Sequence, residues 1–129
     1  MAAKQELSVV IGATDSILDL SMDAFCRSNM QSAVLVEPLE QVIDELIEEL
    51  KRKHIERLQR GECTIEMGFI LSDVLADLDR ISDHCSNIAG CLIEMKKEEL
   101  DIHQYLRSVK HKDNLFAESY ESFKLQYSL

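Results

Sequence analysis

The clearest helical pattern in this 129-residue chain lies in residues 73–89, which read Asp-Val-Leu-Ala-Asp-Leu-Asp-Arg-Ile-Ser-Asp-His-Cys-Ser-Asn-Ile-Ala. Apolar side chains recur there every three or four positions, which is the spacing of the buried stripe of an amphipathic α-helix. Carboxylates, small residues and a single arginine fill the rest of the helix surface. Asp79 and Asp83 are four residues apart, so about 40° separates them around the helix axis. The segment therefore predicts a helix with two neighbouring carboxylates on one flank.

The composition of the whole chain favours an all-α fold. One proline and four glycines are too few for a protein rich in β-turns. Hydrophobic residues make up 46% of the sequence and aromatic residues 5%, so the core must consist mainly of aliphatic side chains. A chain of this length predicts one domain with a core of modest size.

Three long segments with helical periodicity lie at about residues 5–27, 31–60 and 64–96. Because the connections between them are short, they predict an antiparallel three-helix bundle. Ser28-Asn29 marks the first turn, Gly61 the end of the second helix, and Thr64 is positioned to cap the third. The stripe expected on the first helix consists of Leu7, Ile11, Thr14, Leu18, Ser21 and Phe25, with Val10 and Ile17 beside it.

The helical periodicity weakens after Glu98, so the bundle is expected to occupy residues 1–97 and a helical extension residues 98–129. Within the extension the pattern predicts a short helix over 100–109, a turn over 111–114 and a last helix over 115–127. Four of the seven aromatic residues lie in that last helix. Such a stripe is typical of a tail that packs on its own bundle, and packing on a second copy or on another protein is the alternative.

Charge and cysteine pattern exclude several classes of function. The net charge of −10 argues against nucleic acid as a partner, because a phosphate backbone requires a basic surface. The basic run in residues 51–60 suits the end of a helix, where cations stabilise the helix dipole. The four cysteines form no Cys-x-x-Cys motif and are expected to be reduced, cytosolic thiols. The sequence contains no continuous apolar run of the length that a membrane-spanning helix needs.

A second acidic pair, Glu40 and Asp44, has the same four-residue spacing as Asp79 and Asp83. Both pairs lie at the flanks of their apolar stripes, so four carboxylates converge if these flanks face one groove. Oxygen-only sites of this kind suit cations such as Mg²⁺, Mn²⁺, Ca²⁺ or oxidised iron. The alternative is an ordinary acidic surface in contact with water, because repulsion between like charges at such spacing costs only about 1–3 kcal/mol per pair.

Catalytic and nitrogen- or sulfur-ligated metal sites find no support in the sequence. No glutamate stands three positions before any of the four histidines, so the motif of ferritin-like di-iron sites is missing. His84, Cys85 and Cys91 lack the spacing of a zinc site. A nucleophile elbow and a glycine-rich loop are also missing, which predicts that the chain is not an enzyme.

Residues 79–89 closely resemble the signature of the PhoU family of phosphate-signalling proteins. That signature is an acidic residue and an aspartate four positions apart, followed by His and Asn-Ile-Ala, and here those positions are Asp79, Asp83, His84 and Asn87-Ile88-Ala89. Residues 36–46, Val-Glu-Pro-Leu-Glu-Gln-Val-Ile-Asp-Glu-Leu, are similar to the family's Glu-x-x-x-Asp-x-Leu motif. The match covers most of residues 5–96. Residues 54–63, and residues 103–107 with the terminal helix, look like the PhoU-like tail of sodium/phosphate cotransporter-family membrane proteins.

The resemblance implies a regulatory role in phosphate uptake and homeostasis. It also implies a three-helix repeat whose Glu/Asp-x-x-x-Asp motifs bind metal ions on the surface, often as clusters that include iron. Carried over by position, the ligands are Glu40, Asp44, Asp79 and Asp83, for iron or another oxygen-preferring cation such as Mg or Mn. Full members of the family carry two tandem repeats, whereas this chain carries one, and Asp79 stands where Glu is commoner.

The sequence therefore predicts a cytoplasmic, metal-binding regulatory domain, either attached to a sodium/phosphate cotransporter-type membrane protein at the inner face of the membrane or acting on one. Other phosphate-signalling proteins are the second class of partner. Because a lone repeat exposes the flank that its sister repeat would cover, we also expect a homodimer. The competing hypothesis is a structural helical adaptor that binds another protein without a metal.

Overall fold

A computed structural model describes the backbone of residues 2–99 and 102–129, and the side chains of residues 2–98 and 114–129. Its four helices, in chain order, are α1 (Ala2–Arg27), α2 (Met30–Gln59), α3 (Ile65–Glu99) and α4 (Ile102–Gln126). Helices α1, α2 and α3 each pack against the other two, and α4 packs against α2. The described residues contain no strand, which confirms the all-α class.

The helix boundaries lie where the sequence predicts, at two polar capping side chains and one glycine. Asn29 caps α2, since its side chain accepts hydrogen bonds from the backbone N–H groups of Gln31 and Ser32, while Ser28 adopts a left-handed φ of 50°. Gly61 follows α2 with a φ of 72°, a value that glycine adopts without steric cost. The Thr64 hydroxyl accepts a hydrogen bond from the N–H of Met67 at 3.2 Å and caps α3.

The buried face of α1 overlaps the predicted stripe only in part, since Thr14 and Ser21 are buried as predicted. Val10, Ala13 and Ile17 are fully buried, whereas Ile11, Leu18 and Phe25 are 48%, 39% and 64% exposed. The core side of the helix is therefore centred on the residues that the sequence places beside the stripe. The two stripes lie about 90° apart around the helix, and only the packing of α2 and α3 selects between them.

Helices α2 and α3 supply the rest of the core largely as predicted. The seam of α2 contains Leu39, Val42, Leu46 and Leu50, all 4% exposed or less. On α3 the buried side chains are Leu75, Ser82, Cys85 and Ala89, whereas Met67 near its start is 53% exposed. Gly68 lets α3 approach α2 closely, because a Cβ there would lie 2.6 Å from Nε2 of buried His54.

The predicted turn over residues 111–114 is wrong, because α4 continues through it as one helix of 25 residues. The segment 102–126 holds neither glycine nor proline, so nothing in its backbone chemistry ends a helix there. The aromatic tail packs on its own chain: Tyr120 donates a hydrogen bond to Glu45 at 2.8 Å, and the Tyr127 hydroxyl lies 2.5 Å from that of Ser16. The side chains of residues 103–107, part of the family resemblance, lie outside the described residues.

Candidate metal centre

The two acidic pairs of α2 and α3 open onto the same groove. Oxygen atoms of Glu40, Asp44 and Asp83 all lie within 4.8 Å of one another. Asp79 lines the same cavity as Asp44 and Asp83. The structure thus brings together all four carboxylates that the sequence selects.

The proton affinity of this groove is unusual. Partial burial raises the pKa of Glu40 to about 8, and the hydrogen bond and negative charge of Asp44 add to this effect. Partial burial also raises the pKa of Asp44 to about 6, and the nearby charges of Asp79 and Asp83 contribute to this rise. Glu40 and Asp44 therefore keep a proton between them near neutral pH, because that proton relieves the repulsion of the crowded carboxylates.

The four carboxylates of the groove differ in their exposure to solvent. Glu40, Asp44 and Asp79 are half-buried, whereas Asp83 is exposed. A cavity of about 310 Å³ lies over Asp44, Asp79 and Asp83, and its lining is completed by Ile47, Glu48 and Lys51. The oxygen atoms are therefore held by two helices and remain open to solutes.

No lysine or arginine in the described part of the chain forms an ion pair within 4.0 Å of these four carboxylates. Three other basic residues of α2 form ion pairs elsewhere: Arg57 and Lys53 with Glu6 on α1, and Arg52 with Glu56. The carboxylates are thus left to share protons or to attract a cation from solution.

Two further side chains of the groove were not predicted from the sequence. Glu37 accepts hydrogen bonds from the Ser86 hydroxyl across the groove, at 3.0 and 2.8 Å, and its charge helps to raise the pKa of Glu40. Lys51 lines the cavity from one turn beyond Ile47. Glu37 and Glu40 are three residues apart on α2, and this spacing could have identified Glu37 as part of the groove.

A model of the PhoU domain family matches residues 9–92, well over half of the chain. The chain therefore belongs to the PhoU domain family, which confirms the resemblance read from its motifs. It is 24% identical over 106 residues to the phosphate-specific transport system accessory protein PhoU homolog 1 of Thermotoga maritima. That match covers 82% of this chain and 45% of the relative, so the chain spans less than half the length of that protein. No solved structure matches the chain.

The described residues of this chain include no helix that is long and apolar enough to cross a membrane.

Proposed function

We propose that this chain is a non-catalytic regulatory domain of phosphate transport and homeostasis, and that it acts through a cation held between α2 and α3. The observation that carries the proposal is the convergence of Glu40, Asp44 and Asp83, whose oxygen atoms lie within 4.8 Å of one another. Membership of the PhoU domain family supports the regulatory role, and so does the phosphate transport function printed in the name of the Thermotoga maritima relative.

The donor set fits a hard cation. Two oxygen atoms that bind one ion can be no farther apart than twice the metal–oxygen distance, which is about 4–5 Å for Mg²⁺ to Ca²⁺. The 4.8 Å bound on the cluster lies within the limit for Ca²⁺, and for Mg²⁺ the carboxylate oxygens must approach one another by up to about 0.6 Å. Its ligands are carboxylates, which suit iron, Mn or Mg better than a soft metal. Asp79 would complete the set, since it contacts Asp44 from the facing helix.

The partners follow from the family and from the resemblance to cotransporter tails. We infer a cytoplasmic domain, a single PhoU-like three-helix repeat, that binds a sodium/phosphate cotransporter-type membrane protein or is joined to one. Cation binding would replace the proton of Glu40 and join α2 to α3 more firmly. Such a change in the stiffness of the groove is a physical means of signalling to a transporter.

We also infer a homodimer, through an apolar outer face that is separate from the acidic groove. From α1 this face contains Ile11, Leu18, Met22 and Phe25, which are 39–64% exposed. From α3 it contains Ile88, which is 37% exposed. Ile88 lies about 140–180° around α3 from Asp79 and Asp83. Large apolar side chains left exposed in this number are the kind that a second copy of the chain could cover.

The oligomeric state tests the second part of this proposal. Sedimentation velocity over a micromolar concentration range should give the mass of a dimer for the parent chain and of a monomer for the Phe25→Ser/Ile88→Ser variant. Leu125→Ser removes a side chain that is 84% exposed on α4 and is the matched control. A monomeric parent at all concentrations would contradict the dimer.

Metal content tests the first part. After incubation with Fe or Mn and removal of free ions, the parent chain should retain metal, and Asp79→Ala/Asp83→Ala should retain less than about a tenth as much. Asp15→Ala/Asp19→Ala removes the same two charges from exposed positions of α1 and should retain the parental amount. Equal metal content in all three proteins would refute the site and favour the structural adaptor.

A further inference from the structure

The α2/α3 seam, defined here as the surface between these two helices on the side of the acidic groove, has three sections of different chemistry. At the end near the α2–α3 connection lies an apolar recess of about 370 Å³, lined by Ile55, Leu58, Phe69 and Leu75 among others. The carboxylates occupy the middle. At the opposite end lies a recess of about 730 Å³, whose apolar lining includes Ala33, Ala89, Ile93 and Met95.

The apolar ends of the seam are open to water rather than packed. Phe69 and Ile55 are 70% and 55% exposed at one end, and Met95 is 61% exposed at the other. Helix α4 packs on α2, where Tyr120 and Lys124 contact Glu45 on another side of that helix. The seam is thus left without a covering element among the described residues.

The middle of the seam attracts positive charge. Asp44, Glu48, Asp79 and Asp83 line the central cavity together with one cation, Lys51. None of these carboxylates is paired with a described lysine or arginine within 4.0 Å. Such an acidic strip between two apolar recesses complements a surface that is basic in the middle and apolar at both ends.

The distances fit an α-helix. Ser72 lines the first recess and Gly90 the second, and 18 residues of α3 between them span about 27 Å. A partner helix of about 18 residues has this length. Ser72, Ser86 and Gly90 are small, which lets another helix approach α3 closely along the seam.

We propose that the α2/α3 seam docks an amphipathic helix of another protein, whose contact face is apolar at both ends and basic in the middle. Its terminal apolar side chains fill the two recesses, and its lysines or arginines lie over the carboxylates. The charge pattern selects this occupant over a second copy of the chain, because two copies of the seam would place their acidic strips against each other. The docking does not depend on a bound cation, although both would use the same carboxylates.

Two synthetic helical peptides of 20 residues and equal composition test the proposal. The first carries leucines at both ends of one face with lysines between them, and the second carries lysines at both ends with leucines between them. Fluorescence anisotropy in 0.15 M salt with a chelator measures their binding, so the result is independent of any metal. The first peptide should bind at least about tenfold more tightly than the second.

Matched variants separate docking at the seam from general attraction to a chain of net charge −10. Asp79→Asn/Asp83→Asn should weaken the first peptide about tenfold or more, while Asp15→Asn/Asp19→Asn should change its affinity less than about threefold. Phe69→Ser should weaken it also, and Leu125→Ser should not.

Three results would overturn the proposal. The first is equal affinity for the two peptides, or binding of neither below 1 mM. The second is equal weakening by the two pairs of charge variants. The third is a change in the sedimentation of the chain alone on Phe69→Ser, because the seam would then hold a second copy. Metal retention is measured separately, so loss of the metal proposal leaves this test intact.

Discussion

Two acidic repeats in this chain have the same spacing and opposite surroundings. Asp15, Asp19 and Asp23 recur every four residues on α1, just as Glu40 and Asp44 do on α2. Asp15 and Asp19 are exposed to water, whereas Glu40 and Asp44 face two further carboxylates across a groove. Four-residue spacing makes carboxylates neighbours on one helix, and the facing helix determines what they can do.

Asp23 shows the contrast most directly. Hydrogen bonds donated by Ser32 and Asn29 lower its pKa below the ordinary value. Burial and carboxylate neighbours raise the pKa of Glu40 to about 8. One acid therefore stabilises its charged form through donors at a turn, and the other keeps a proton that a cation could replace.

The largest effect is expected in the pH dependence of metal binding. Because Glu40, with a pKa of about 8, must lose its proton to bind a cation, Mn²⁺ affinity should rise about 15-fold between pH 6.5 and 8. Isothermal titration calorimetry at the two pH values measures this change. Glu40→Gln should bind more weakly and lose most of the slope. The same affinity at both pH values would show that Glu40 is not a ligand.

The second effect concerns the stability of the metal-free chain. The folded state raises the pKa of Glu40 from 4.5 to about 8 and that of Asp44 from 3.8 to about 6, so it binds protons that the unfolded chain releases. This contribution is complete below about pH 4 and is lost as the pH rises through 6 to 8. Allowing for screening at half-exposed groups, the free energy of unfolding should fall by on the order of 1–2 kcal/mol.

Urea denaturation at pH 5 and pH 8.5, in the presence of a chelator, measures this loss. Glu40→Gln/Asp44→Asn should remove most of the difference attributed to these groups, and Asp15→Asn/Asp19→Asn should leave it in place. If Glu40→Gln/Asp44→Asn loses as much stability between pH 5 and pH 8.5 as the parent does, other groups in the chain cause the loss.

The third effect concerns the turn between α1 and α2, where Asp23 accepts hydrogen bonds from Asn29 and Ser32. Asn29→Ala removes the cap of α2 and the donor to Asp23, and should lower the free energy of unfolding by about 1 kcal/mol. Thermal unfolding at pH 7 measures it, with the exposed neighbour Gln31→Ala as control. If both variants unfold like the parent, the cap contributes nothing to the fold.

The smallest effect is expected at the exposed pair of α1. Asp15→Asn/Asp19→Asn should change the free energy of unfolding by no more than about 0.5 kcal/mol at pH 7, because both side chains are in contact with water. Urea denaturation compares it with the parent. A larger change would mean that a partner covers this side of α1.

Much of the scaffold could be predicted from local sequence. The periodicity of α2 and α3, the cap at Asn29 and the stop at Gly61 depend on side chains and backbone within a few residues. The acidic pairs were also visible, because spacing along a helix fixes which side chains are neighbours. Their role as metal ligands stays a prediction.

Other features could not be predicted from the sequence alone. The stripe of α1 is broad enough in sequence to bury either Val10 and Ile17 or Leu18 and Phe25, and the position of α2 and α3 selects the first pair. Continuity of α4 through residues 111–114 was missed because polar residues suggested a turn, although only glycine or proline would have required one.

The amino-acid sequence alone was enough to predict the helical class, the turns between the first three helices, the family and the four candidate carboxylates, because each depends on neighbouring residues or on a motif. Only the packing of the helices places Glu40, Asp44, Asp79 and Asp83 in one groove with Glu37 beside them. The same packing raises the pKa values of Glu40 and Asp44. The reason is physical: repulsion, burial and hydrogen bonding depend on the distance between side chains from different helices, and that distance is set by how the helices pack.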